Sequence, residues 1–188
     1  MRKNRFLLTL MAVVFLAQWA VPAAMIARRE IALRRGEVFL FRTAPIDPYD
    51  PFRGRYVTLN FRSTGVSPEN APEGLETGRR VYATVSRDDD GFAVFQKLSL
   101  TPPAHDSYLR TRVRRITPSQ ITIDIPFDRF YMEETAAPEA ERAWLRHAGR
   151  GELESWARVR LYAGTAVTED LVIGGTPVLE FIEKEKSE

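Results

Sequence analysis

The hydrophobic pattern changes character at Gly36. Before it, residues 6–26 read FLLTLMAVVFLAQWAVPAAMI, 21 positions without a charge and apolar on every helical face. About 20 residues rising 1.5 Å each cross a hydrocarbon core. The run therefore predicts a transmembrane helix, followed over 27–35 by a basic juxtamembrane stretch of helical composition. A cleaved signal peptide is the rival reading, because Arg2, Lys3 and Arg5 make a basic n-region and Val21-Pro22-Ala23 loosely matches a small-residue cleavage site. The run exceeds the roughly 7–15 residues of a signal core, and the chain beyond it does not turn polar and extended. Both points favour an uncleaved anchor.

After Gly36 the period becomes two. Strands are predicted at 37–42, 56–62, 80–87, 92–98, 108–116, 121–125, 156–163, 171–173 and 178–182. Asp88-Asp89-Asp90-Gly91, Thr117-Pro118-Ser119 and Gly174-Gly175 supply tight turns between neighbours, which forces those neighbours to pair antiparallel. Ile121, Ile123 and Ile125 alternate with Thr122 and Asp124, giving one face to a core and the other to water. One helix is expected near 138–149, with Pro138 at its first turn, Glu139 and Glu141 near its N-terminal end, and Gly149 and Gly151 as stops. Its stripe of Ala140, Ala143, Trp144 and His147 should lie on the sheet. The expected fold is mainly β (α+β): an N-terminal transmembrane helix, then an antiparallel β-rich domain over 36–182 with one helix, then a charged tail at 183–188 that frays.

Composition supports one packed domain, since 44% hydrophobic and 28% charged residues are ordinary globular values. Charge changes the picture more. Of 27 basic and 25 acidic residues, seven basic and one acidic fall within 1–35, leaving 20 against 24 and a net −4 over 36–188. The basic excess belongs to the anchor, and a nucleic-acid partner, which needs a basic footprint on the folded domain, is not expected. Flanking charge leaves the orientation open, because basic residues crowd both ends of the apolar run. The chain has no cysteine, which excludes disulfides, thiolate metal sites and a cysteine nucleophile.

The densest segment is FRTAPIDPYDPFRGRYVTLNF, residues 41–61. Pro45, Pro48 and Pro51 recur every third residue and bias the backbone to extended and turn conformations. Asp47 and Asp50 each precede a proline, where a carboxylate can accept from nearby backbone N–H groups or pair with Arg53 or Arg55. A rigid crossing is the plain reading, and a presented binding surface is the functional one. Gly54-Arg55-Tyr56-Val57-Thr58-Leu59-Asn60-Phe61, with the Pro-Asp run before it, resembles the signature of the GDYXXLXY protein family. Phe127-Asp128-Arg129-Phe130-Tyr131 with Glu133-Glu134, and Ile173-Gly174-Gly175-Thr176-Pro177-Val178, resemble later parts of that family. Two signature positions depart: Arg55 stands where the family has Asp, and Phe61 where it has Tyr. The resemblance implies a bacterial inner-membrane protein with its folded domain on the extracytoplasmic (periplasmic) side, working beside a polytopic membrane protein. It names no catalytic residue.

The residues assemble no obvious chemistry of their own. His105 and His147 are 42 positions apart with no metal-ligand spacing, and no metal or cofactor is expected. The run Asp88 to Asp90 reads better as a solvated hairpin tip than as a calcium site. No nucleophile elbow is present. A Ser-Lys peptidase would have to use Lys97, the only lysine between Lys3 and the tail, and no serine precedes Ser63. Arg110, Arg112 and Arg114 alternate along one predicted strand, so three guanidinium groups should leave one face. They suit anionic headgroups or an acidic partner, and the ordinary alternative is a solvated face with acidic cross-strand neighbours. The candidate binding residues are thus Asp47, Asp50, Arg53, Gly54, Arg55, Tyr56, Arg110, Arg112 and Arg114. The expected role is a membrane-tethered, non-enzymatic binding or assembly module, with an envelope hydrolase as the alternative.

Overall fold

A computed structural model describes residues 2–44, 56–105, 107–132, 137–148 and 153–187, and of these the side chains of 2–9, 12, 56–58, 131, 137, 138, 141, 145, 148 and 187 are not described. Helix α1 (Arg2–Arg35) leads into β1 (Glu37–Ala44). Strands β2 (Tyr56–Thr58), β3 (Asn60–Phe61), β4 (Gly65–Val66), β5 (Arg80–Arg87), β6 (Ala93–Ser99), β7 (Tyr108–Ile116), β8 (Ile121–Ile123) and β9 (Arg129–Tyr131) follow. Then come α2 (Ala137–Ala143), a π-helical turn (Trp144–Ala148), β10 (Ser155–Tyr162), β11 (Thr165–Ile173), β12 (Thr176–Pro177) and α3 (Val178–Ser187).

The strands form two five-stranded sheets, ordered β12-β11-β10-β1-β3 and β4-β8-β7-β5-β6, with β2 and β9 as a separate pair. All these ladders are antiparallel, and short turns require it of β5–β6, β7–β8, β10–β11 and β11–β12. The predicted strand at 56–62 divides at Leu59, whose N–H donates to the Asp128 carbonyl at 2.8 Å. On one side of it β2 pairs with β9, and on the other β3 pairs with β1. The predicted 171–173 is the buried end of a nine-residue strand; its first half carries half-buried side chains and shows no alternation to read.

One element was expected in the wrong class. Residues 178–182 open helix α3 instead of forming a strand. Val178, Phe181 and Ile182 recur at helical spacing, with Val178 and Ile182 buried and Leu179 half exposed. Two β-branched residues in five mimic a strand, but Pro177 and the charged residues beyond favour the helix. The supposed fraying tail continues that helix and docks on α2: Arg146 pairs with Glu185 at 2.9 Å and Lys186 with Glu139. The helix expected at 138–149 is regular only to Ala143 before the π turn. Its expected stripe holds at Ala140, Ala143 and Trp144, all fully buried, while His147 packs edge-on against Phe181 at 5.2 Å.

The two sheets share one core. Phe41 from β1 meets Phe61, Phe127 and Phe95 with ring centroids 6.0, 4.9 and 5.7 Å away, and Phe95 belongs to the other sheet. Isolated bridges Leu40 to Phe92 and Leu109 to Gly164 tie the sheets at two further points. At the second, the hairpin turn Ala163-Gly164 has positive φ at both residues, the geometry that matches strand twist. A Cβ on Gly164 would also lie 2.8 Å from the Tyr108 ring, so only glycine lets this turn seat on β7.

Helix α1 ends inside the domain. Ala32 is fully buried, and the Gly36 N–H caps the helix by donating to the Ala32 carbonyl at 2.8 Å. A Cβ on Gly36 would fall 2.3 Å from that oxygen, which makes glycine obligatory at the junction. Further back, Met11, Leu16, Trp19, Met25 and Ile26 stand about two-thirds exposed. Among the described residues no helix is long and apolar enough to cross a membrane, and the side chains of Phe6–Thr9 and Ala12 from the apolar run lie outside them.

Candidate functional site

Several arginines in this domain are held by acidic partners. Arg42 on β1 reaches Glu154 at 3.0 Å, Asp88 at 3.2 Å and Asp90 at 2.8 Å, and lies 3.9 Å above the Phe92 ring. The hydrogen bond it donates to Asp90, then the one it donates to Glu154, hold its guanidinium even more firmly charged than usual. Asp88 meanwhile accepts from the backbone N–H groups of Asp90 and Phe92, as expected for a hairpin tip. Arg87 pairs with Glu37 at 2.8 Å and donates to the Val38 carbonyl. The Glu37 carboxyl is held below the usual range, chiefly by the Ser107 hydroxyl at 2.5 Å and then, against some burial, by Arg87. Arg160 forks onto Glu169 with bonds of 3.0 and 3.1 Å and reaches the Gly36 carbonyl.

The exposed face of the second sheet is different. In the β5–β7 ladder Arg80 stands opposite Arg112, Tyr82 opposite Arg110 and Thr84 opposite Tyr108. Directly opposed residues share a face with Cβ atoms about 4.5–5.5 Å apart. Val81, Ala83, Leu109, Thr111 and Val113 take the buried face, so the arginines and tyrosines take the other. Tyr82 and Tyr108 meet edge to face at 5.6 Å. Among the described residues Arg80, Arg110 and Arg112 have no ion pair or hydrogen bond to an acidic side chain, and two of them face each other. Like charges so placed oppose folding.

These side chains line a cavity of about 490 Å³ formed by Arg80, Tyr82, Arg110, Thr111, Arg112, Asp124 and Pro126. The Thr111 hydroxyl, on the buried face, donates to the Asp124 carbonyl, and the Asp124 N–H donates to the Arg112 carbonyl at 2.9 Å, which ties residue 124 to β7. Pro126 is shared with a second groove of about 310 Å³ that also includes Arg29 of α1. The volume suits a small ligand, and the donors are fixed charges on paired strands.

Of the residues singled out by sequence, Arg110 and Arg112 are brought together here. Arg114 is not: it sits at a β-bulge without an opposite residue, and lies 4.0 Å from Asp124. The acidic neighbour expected along this strand is therefore found at Arg114 alone, and Arg110 and Arg112 face Tyr82 and Arg80. Asp47, Asp50, Arg53, Gly54 and Arg55 lie outside the described residues, and Tyr56 is placed only by its backbone pairing with Tyr131. Arg80 and Tyr82 escaped notice in the sequence. Their two-residue spacing at the start of a predicted strand was the available signal, but only the register shows what they face. Lys97 stands exposed opposite Thr84 on the same sheet.

No curated protein and no solved structure matches this chain. A family model described as GDYXXLXY protein matches residues 18–171, which includes the last helical turns, the strands from β1 to β10 with most of β11, and the cationic cavity. The chain therefore belongs to the GDYXXLXY protein family.

Proposed function

We propose that this chain is a membrane-tethered, non-enzymatic binding or assembly module of the cell envelope. Residues 6–26 cross the inner membrane once, and the folded domain meets a polytopic membrane partner on the extracytoplasmic side. The observation that carries this reading is the continuity of α1, a 34-residue helix whose described apolar side chains from Leu10 to Ile26 stand exposed while Ala32 in its last turn is buried in the domain. A helix apolar on every face has no stable place in water. A bilayer satisfies it, and the buried junction at Ala32 and Gly36 then holds the domain in a set orientation close to the surface.

Alkaline extraction of membranes and protease treatment of spheroplasts test the tether. The chain is expected to stay in the membrane pellet and to lose its domain to external protease. Release by alkaline wash would remove the anchor, and survival of the domain would reverse the orientation. A photoreactive residue at Tyr49, in the proline-rich segment, tests the partner in intact cells. One specific membrane-protein adduct is expected; the absence of any adduct would leave the module without its partner.

A further inference from the structure

We infer that the cavity on the second sheet binds a phosphate-bearing anion, with Arg80 and Arg112 as paired forks and Arg110 and Tyr82 closing one side. The argument starts from a cost. Arg80 and Arg112 are directly opposed, and among the described residues neither has an acidic partner. Arg42, Arg87 and Arg160, on the same two sheets, each have an acidic partner within 3.2 Å. A bound anion turns the repulsion into attraction, because both guanidinium groups then point at a common counter-charge.

The chemistry favours phosphate. Guanidinium forks match two oxygens of a phosphate at once, and the Tyr82 hydroxyl can donate to a third. Three guanidinium groups and the Asp124 carboxylate leave a net charge of +2 around the cavity. That balance fits one phosphate monoester or diester better than a polyanion. Asp124 is half exposed and lies toward Arg114, at the cavity rim. The arginines and Tyr82 stand on interior strands of a four-ladder sheet, so their spacing is set before the ligand arrives.

The same phosphate could belong to a lipid headgroup or to a soluble ester, and position favours the lipid. The adjoining groove contains Arg29, three residues beyond the apolar run and so about 4.5 Å further along the helix. The lipid source rests on the tether proposed above; the anion site does not.

The test uses the full chain in detergent micelles. Native mass spectrometry with equal phosphatidylglycerol and phosphatidylcholine should show retention of the anionic lipid, and calorimetry with glycerol 3-phosphate reads the soluble arm. R80Q/R112Q should weaken binding about tenfold or more. R80K/R112K, which keeps the charge without the forks, should fall between, and R115Q on the same strand should match the wild type. Glycerol 3-phosphate binding with this variant order, but without lipid preference, supports the site with a soluble ligand. If neither probe binds, or if R115Q weakens binding as much as R80Q/R112Q, the site is overturned. Alkaline release of the chain with glycerol 3-phosphate binding intact would remove the tether alone.

Discussion

In β10, Arg158 stands opposite Asp170 and Arg160 forks onto Glu169; in β7, Arg112 stands opposite Arg80 and Arg110 opposite Tyr82. Along the chain the two strands look alike, since each alternates arginine with buried aliphatic or small residues. Across the ladder they are opposites. Arg160 is neutralised by its own sheet and contributes to the fold, with Arg158 set opposite an acid, whereas Arg110 and Arg112 are left facing a cavity. A strand's charge pattern therefore says that a face is cationic, and only the pairing register says whether that charge is spent or available.

The comparison assumes that both sheets belong to one cooperative unit, and Phe41→Ala tests this most severely. It should cost about 3–5 kcal/mol and lower a single unfolding transition in denaturant, because Phe41 packs on rings from both sheets. Separate transitions for the two sheets would break the comparison. Next, Arg42→Ala should cost about 1–2 kcal/mol by leaving Asp88, Asp90 and Glu154 without their shared cation. Arg160→Gln should cost about 1 kcal/mol by the same measurement, since its two acceptors on Glu169 are only part buried. Smallest is a pH effect. The lowered Glu37 carboxyl adds stability that is present above the ordinary glutamate range and is lost as pH falls through the lower folded-state value. Glu37→Gln should flatten that part of the stability profile, while Asp170, raised mainly by burial and opposed by the Leu171 N–H and Arg158, pulls the other way by favouring the folded state as it protonates.

Much of the fold was legible because local rules and tertiary packing agree. Asp88 to Gly91, Thr117 to Ser119 and Gly174-Gly175 all form the turns that their residues favour, and the strands they join pair antiparallel. Residues 178–182 misled because Val178 and Ile182 suit either a strand or one face of a helix, and five residues are too few to separate the two periods. The site was half legible. Alternation placed Arg110 and Arg112 together on an exposed face, but a bulge between Val113 and Arg115 took Arg114 out of line. Bulges leave little mark in sequence. Arg80 could be joined to Arg112 only through the β5–β7 register, which the long connection from β6 to β7 does not dictate.

The claim that one sheet's arginines serve the fold and the other's serve a ligand is tested most directly by thermal unfolding of the full chain in micelles, comparing R160Q and R112Q with and without glycerol 3-phosphate. R160Q should lower the midpoint by about 2–4 °C and keep the full stabilisation by the ligand. R112Q should leave the midpoint unchanged or slightly raised, by relieving the repulsion with Arg80, and should lose most of that stabilisation. Equal losses of stability in both variants, with the same ligand response, would contradict the distinction.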